Sequence, residues 1–423
     1  MTHYLCVGIG VGPANLSLAS LLYSHPAAAN IFFEKKESFG WHDGQLIDGA
    51  TLQVSMLKDL VSLADPTNKF SFLAYLHGQR RIYHFLNAQF NAVPRQEFRN
   101  YMDWASRENE NIFFREEVLE VTFEKIFMVR TRRRTVTADN IVVGVGTQPW
   151  VPAMARGRLG RTQFHISDFL DKASDLGGQE VCVIGGGQSG AEAFLDLISR
   201  PARERPRHVS WVSRRSSYLP LDESPFTNDF YMPCHSDYFF RLDRAWREDF
   251  NRRHLLTSDG ISEATLRQIY QRAYMLRFIE GTPGLFSFLP NRAITELEGS
   301  DDAGWTMACV HNYSPARPSR IAADVVIWAT GFRQASRDFL SPVSARLETE
   351  DGEYLIDEDF AVRWDGPPDR AIFIQNAARQ QRGHADANLS LNAWRSQRIA
   401  DRLLGIKSVD QLASFMSWAQ ETR

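Results

Sequence analysis

Cysteine, long apolar runs and charge of one sign are all scarce in this chain, and each scarcity removes a class of function. The four cysteines, Cys6, Cys182, Cys234 and Cys309, are far apart and form no Cys-x-x-Cys pair. No His/Cys spacing suits a metal, so a dithiol redox centre and a bound zinc are both disfavoured. Structural thiols in a reducing compartment are the reading that remains. No run reaches the roughly 18 apolar residues that a membrane-spanning helix needs, and no charged leader precedes the apolar stretch that starts at Tyr4. A soluble, cytoplasmic protein without a transmembrane segment is expected. With 48 basic and 51 acidic side chains the net charge is −3, too weak a field to concentrate nucleic acid or anionic lipid. Low-complexity tracts and long linkers are also missing.

Apolar residues, in contrast, make up 43% of 423 positions, enough for a large core and about three times a ~150-residue domain. Two stretches repeat one pattern. "YLCVGIGVGPANLSLA" runs apolar to Val7, turns through Gly8, Gly10 and Gly12, and continues with helical spacing after Pro13. A strand, a glycine turn and a helix in that order let backbone approach a pyrophosphate, which the helix N-terminus then holds. The next strand, "NIFFEKK", carries Glu34 where an acid meets a ribose hydroxyl. In "VCVIGGGQSGAEAF", Gly185, Gly187 and Gly190 complete the Gly-x-Gly-x-x-Gly spacing, with Gln188 and Ser189 opening the helix between them. Its following strand, "HVSWVSRR", ends in Arg214 and Arg215 instead of an acid. Those guanidinium groups either read the ribose phosphate of NADPH or form a solvated turn. "NIVVGVGTQP" and "DVVIWATGF" bracket the second unit as returning strands, and "AIFIQNAA" with "NLSLNAWRSQRIADRLLG" supplies one more buried strand and an amphipathic helix. The expected architecture is α/β with two nested Rossmann-like dinucleotide-binding domains. The first spans 1–165 and 335–423, the inserted one 166–334, and a helical, aromatic-rich substrate or lid subregion occupies about 222–290. The basic run Arg130 and Arg132 to Arg134 reads as a solvated hairpin.

Nested nucleotide units with a late "ATGF" resemble flavoprotein monooxygenases. "SFGWHDG", "LQVSMLKDLVSLADPTNKFSFLAYL", "WVSRR", "LDESPFTNDFYMP", "LTSDGIS" and "NLSLNAWRS" narrow the resemblance to the N-hydroxylating monooxygenases of siderophore biosynthesis, nearer the lysine and diamine branch than the ornithine branch. The resemblance runs from the first strand to the last helix. It implies non-covalent FAD on the first unit and NADPH on the second. Its reaction is NADPH- and O₂-dependent hydroxylation of a primary amine through a C4a-hydroperoxyflavin, with L-lysine as leading substrate and cadaverine or putrescine as alternatives. By the same resemblance Gln53 lies beside the flavin, Lys58 contacts substrate, Asn228 contacts substrate or cofactor, and Ser390 lies near both. Ser258, expected among the substrate contacts, stands where the ornithine branch has a second asparagine, which puts ornithine in doubt.

Flavin carries the redox chemistry, so no side-chain nucleophile is required. Gln53 either donates to the flavin–oxygen adduct or caps a turn, and Lys58 either reads a carboxylate or is a helix-surface lysine. Trp41 and His42 either close the flavin site or fill core. His42, His165 and His384 are read as structural or cofactor-packing groups. A homo-oligomer is expected from the helical patch. A flavoprotein reductase that inserts no oxygen is the reading from a different class.

Overall fold

The apolar run at the N-terminus forms the strand His3–Ile9, whose Cys6, Val7 and Ile9 are buried. The computed structural model describes residues 1–409 and 413–418, without the side chains of residues 316 and 317. Asn30–Phe33 and Thr135–Val143 flank the first strand in parallel. Strands buried on both faces need unbroken apolar sequence, and Asn30–Phe33 and Ala371–Ile374 are buried at every position. Ala371–Ile374 runs parallel to the second half of Thr135–Val143, while Phe127–Thr131 and Val118–Phe123 extend the first half antiparallel. The late strand thus returns to the first sheet. The turn between Phe127–Thr131 and Thr135–Val143 carries the basic run, where Arg130 pairs with Glu120, Arg132 with Glu117 and Arg134 with the buried Glu116.

Gly10, at φ +83°, turns the chain into the helix Pro13–Leu22. Proline suits that first helical position because its missing N–H would have no intrahelical partner there. The helix is covered by the sheet, by Arg95–Glu108 and by the final helix Asn392–Leu404, which explains why nine of its residues are buried. The final helix stops at Gly405, which adopts the left-handed conformation that suits a helix end.

A second, all-parallel sheet has the order Phe286–Leu289, His208–Val212, Glu180–Ile184, Val325–Trp328, Gln163–His165. Its edge strand Gln163–His165 precedes the expected boundary at residue 166, because the strand's pairing with Val326, Ile327 and Trp328 outweighs its weak local pattern. Phe286–Leu289, expected within the helical subregion, pairs with His208–Val212 instead. Between these strands lie Pro225–Asn228, Pro233–Arg241, Arg244–Arg253, Leu256–Asp259 and Glu263–Tyr274, followed by a π-turn at Met275–Ile279. An antiparallel meander, Arg292–Ser300, Gly304–His311 and Ser314–Ala323, was not anticipated from sequence. All four cysteines are free, and three are buried. Residues 410–412 and 419–423 of the expected segment 335–423 lie outside the described residues.

Candidate active site

The C-terminal ends of the parallel strands in the first sheet open onto a cavity of about 910 Å³. Gly10, Gly12 and Pro13 form one wall, Glu34, Trp41 and His42 another, and Asn376, Asn388 and Asn392 a third. A Cβ on Gly12 would meet nothing within 4 Å, so the glycine leaves room for a ligand at the helix start. The Glu34 carboxylate accepts from the Val11 and Lys36 N–H groups at 2.8 and 2.9 Å. It therefore ties the glycine turn to the end of the second strand and faces the cavity as an acceptor for hydroxyls. His42 sits in the left-handed region at φ +55°, with its ring against Trp41 and Phe332. It is enclosed by protein but reaches solvent through the cavity. Burial, then the Arg95 and Lys36 cations, push its imidazole down to about 4. These features fit an adenine dinucleotide. Gly8 serves packing instead, since a Cβ there would lie 2.0 Å from the Phe32 ring.

Gln53 does not line the cavity, and its buried Nε2 lacks an acceptor among the described residues. A buried amide N–H without a partner is costly, so this group fits a bound acceptor. Lys58 Nζ donates to Ser390 Oγ at 2.8 Å and lies 5.8 Å from the centre of the Tyr231 ring. Burial lowers its pKa, and it has no carboxylate partner among the described residues. Ser390 in turn donates to Asn388 Oδ1 at 2.7 Å, so a short polar chain runs from Lys58 to the cavity wall. Asn228 is exposed and ends the helix Pro225–Asn228, which Ser224 caps. Three residues later Tyr231 packs on Ala385 and Leu391, beside Ser390.

Ser258 follows Thr257, the residue that the Tyr231 hydroxyl engages. The Tyr231 hydroxyl donates to the Thr257 carbonyl at 2.6 Å, and Ser258 Oγ donates to Asp259 Oδ1 at 2.8 Å while accepting from Arg379 at 3.2 Å. Arg379 also lies 2.6 Å from His384 Nδ1, which accepts, while His384 Nε2–H donates to the Asn251 carbonyl at 3.0 Å. Burial and the Arg379 cation push His384 down to about 4. Lys58 and Ser390 thus meet directly, whereas Ser258 belongs to a neighbouring network. Sequence reasoning passed over Tyr231 and Arg379. Tyr231 stood within a quoted motif, but nothing local marks Arg379.

In the second unit, a Cβ on Gly190 would come 2.4 Å from the Gly185 carbonyl oxygen, so the glycine allows helix and strand to pack closely. The side chains of Gln188 and Ser189 already have protein partners. Gln188 bonds Glu192 and Ser262, and Ser189 donates to Gln45 at 3.0 Å. A ligand there is left the backbone N–H groups around Gly187. Arg95 forms a two-pronged pair with Glu192 at 3.0 and 2.8 Å and so joins the helix of the second cradle to the first unit. Arg215 donates to the Gly186 and Asp259 carbonyls at 2.9 and 2.8 Å. Arg214 is exposed and unpaired among the described residues, with only its carbonyl engaged by Asn312. The structure therefore separates two arginines that sequence treats as a pair.

A family model described as L-lysine 6-monooxygenase/L-ornithine 5-monooxygenase matches residues 2–334. The chain is 35% identical over 403 residues to the L-lysine N6-monooxygenase of Escherichia coli, covering 94% of each. It is 33% identical over 435 residues to the rhizobactin siderophore biosynthesis protein RhbE of Rhizobium meliloti, covering 99% of this chain and 95% of that one. The ornithine N-hydroxylase of Kutzneria sp. 744, solved with reduced FAD, NADP⁺ and L-ornithine, superposes with a TM-score of 0.86 at 28% identity, over 95% of this chain and 99% of that one. The chain therefore has a flavin monooxygenase fold with two dinucleotide-binding domains. Among the described residues no helix is long and apolar enough to cross a membrane. The chain belongs to the L-lysine 6-monooxygenase/L-ornithine 5-monooxygenase family, the flavin-dependent N-hydroxylating monooxygenases of siderophore biosynthesis.

Proposed function

We propose that this chain is a cytoplasmic FAD- and NADPH-dependent N-hydroxylase of the terminal amine of L-lysine, acting early in hydroxamate siderophore biosynthesis. The first unit, 1–165 with 335–423, holds FAD, and the inserted unit holds NADPH. When bound, the flavin accepts hydride and activates O₂. The protein's part is to orient the amine, keep it neutral and exclude water. A free lysine side chain titrates near ~10.4, so about one molecule in a thousand is neutral near pH 7.4, a penalty of ~4 kcal/mol. A carboxylate at the reacting nitrogen would enlarge that penalty. The neutral amides of Asn228 and Gln53 suit that end of the substrate.

The observation that carries lysine over a diamine is Lys58, a desolvated cation with a serine hydroxyl as partner and no carboxylate among the described residues. A substrate carboxylate would relieve its desolvation, whereas the second ammonium of a diamine would add to the cost. Turnover with lysine, ornithine, cadaverine and putrescine tests the reading by hydroxylamine formed per NADPH. Lysine should have the highest kcat/KM. Preference for cadaverine or putrescine would assign the site to diamines. NADPH oxidation without hydroxylamine from any amine would make the protein a reductase.

Association into a homo-oligomer is supported by Tyr270, Tyr274 and Phe278, exposed at 77%, 53% and 64% along one side of the last helix in the helical subregion. A contiguous aromatic stripe of this kind suits a protein interface.

A further inference from the structure

The side chain of Arg395, in the last helix, is 1% exposed and faces the Asp386 carboxylate, which is fully buried, at 3.0 Å. Every guanidinium nitrogen has an acceptor. Nη1 also donates to the Asp386 carbonyl, Nη2 to Asn376 Oδ1 and Asn392 Oδ1, and Nε to Gln375 Oε1. A buried ion pair by itself often contributes little net stability, because desolvation offsets the attraction. What an arginine adds is a rigid fork that fixes several acceptors in one geometry.

Those acceptors lead to the first glycine turn. Gln375 Nε2 donates to Asn15 Oδ1 at 2.8 Å, and Asn15 Nδ2 donates to the Gly10 carbonyl at 2.8 Å and the Val142 carbonyl at 3.2 Å. Asn392 Nδ2 donates to the Pro13 carbonyl at 2.9 Å. Asn376 is held at φ +56°. Gly10, Pro13, Asn376 and Asn392 line the cavity, whereas Arg395 and Asp386 do not.

We propose that Arg395, paired with Asp386, is a positioning residue for the FAD cradle. It aims Asn376 and Asn392 at the cavity. Through Gln375 and Asn15 it also fixes the carbonyl side of the glycine turn, so that the opposite N–H groups stay directed at the dinucleotide. This rests on the assignment of FAD to the first unit. The test compares wild type, Arg395→Lys and Asp386→Asn by FAD titration of the apoprotein, by NADP⁺ titration, and by the thermal midpoint with and without saturating FAD. Lysine keeps the charge but cannot span the same acceptors. Both variants should raise the FAD Kd at least tenfold and shrink the midpoint gain that FAD confers, with the NADP⁺ Kd within twofold of wild type. A merely structural pair would lower the apo and holo midpoints equally and leave the FAD Kd within twofold, which overturns the proposal. Should those variants not fold, Asn392→Ala removes the Pro13 contact and one Arg395 contact while leaving the Arg395–Asp386 pair in place, and an unchanged FAD Kd there is equally decisive. Wild-type protein that takes up no FAD would instead refute the cofactor assignment.

Discussion

At the scale of single residues, Arg215 uses its guanidinium on the carbonyls of Gly186 and Asp259, while Arg214 projects into solvent from the end of the same strand. A charge-assisted bond to phosphate is worth about 1.5–3 kcal/mol. Arg214→Ala should therefore raise the KM for NADPH about tenfold or more, with kcat and thermal midpoint nearly unchanged. Arg215→Ala should lower the midpoint as well, because the glycine turn loses its clasp. Steady-state kinetics beside thermal unfolding separate the two, and equal behaviour would contradict the division. Lys58→Ala should reduce kcat/KM for lysine roughly ten- to a hundredfold, the loss of about 1.4–3 kcal/mol expected of one charge-assisted contact, and reduce turnover of cadaverine far less. Equal losses would place Lys58 in the scaffold. The residue identities of both pairs are legible in the sequence, but their partners are not. Arg215 is matched to Asp259 and Lys58 to Ser390 only after the chain has folded.

Among the elements, the helix Glu263–Tyr274 continues through the π-turn Met275–Ile279 with Ile269, Ala273 and Leu276 buried and its aromatic stripe outside. Tyr274→Asp combined with Phe278→Asp should shift the solution mass toward monomer in sedimentation or light scattering and leave the circular dichroism intact. An unchanged mass would remove the stripe from the interface. Glycine turns are legible because they are local: Gly10 and Gly185 need backbone angles, at φ +83° and +146°, that side chains rarely adopt. The strand Gln163–His165 is set by pairing with a distant partner, for which so few residues carry little signal. The meander from Arg292 to Ala323 instead pairs neighbouring strands in successive hairpins that the sequence reading passed over. Phe286–Leu289 was hidden for the same reason as Gln163–His165, as four residues at the end of a helical stretch.

For the whole molecule, His235 and His384 are 2% and 4% exposed, and burial, first among the causes, pushes each down to about 4. Between roughly pH 4 and the unfolded value near ~6.5 the unfolded chain binds more protons, so stability is full above ~6.5 and falls as pH drops. At pH 5 each histidine forfeits up to about 2 kcal/mol. Thermal midpoints at pH 7.5 and 5 should differ by several degrees, and the gap should narrow in His384→Asn. A midpoint that is flat over that range would show both imidazoles to be freely protonated. The two nested units were legible as a plan because each begins with its own glycine turn. Their joining was not, since Arg95 meets Glu192 and Ser189 meets Gln45 across long sequence gaps.

The return of the chain to its first sheet has a consequence for biosynthesis. The Pro13 carbonyl waits for Asn392, which lies 379 residues later, and Asn15 waits for Gln375, 360 residues later. The strands of the second sheet, from Gln163 to Trp328, leave the ribosome before those partners are made. The inserted unit is thus able to form while the N-terminal glycine turn still lacks its support, and a nascent chain released before Asn392 would carry the turn without the contacts that brace it.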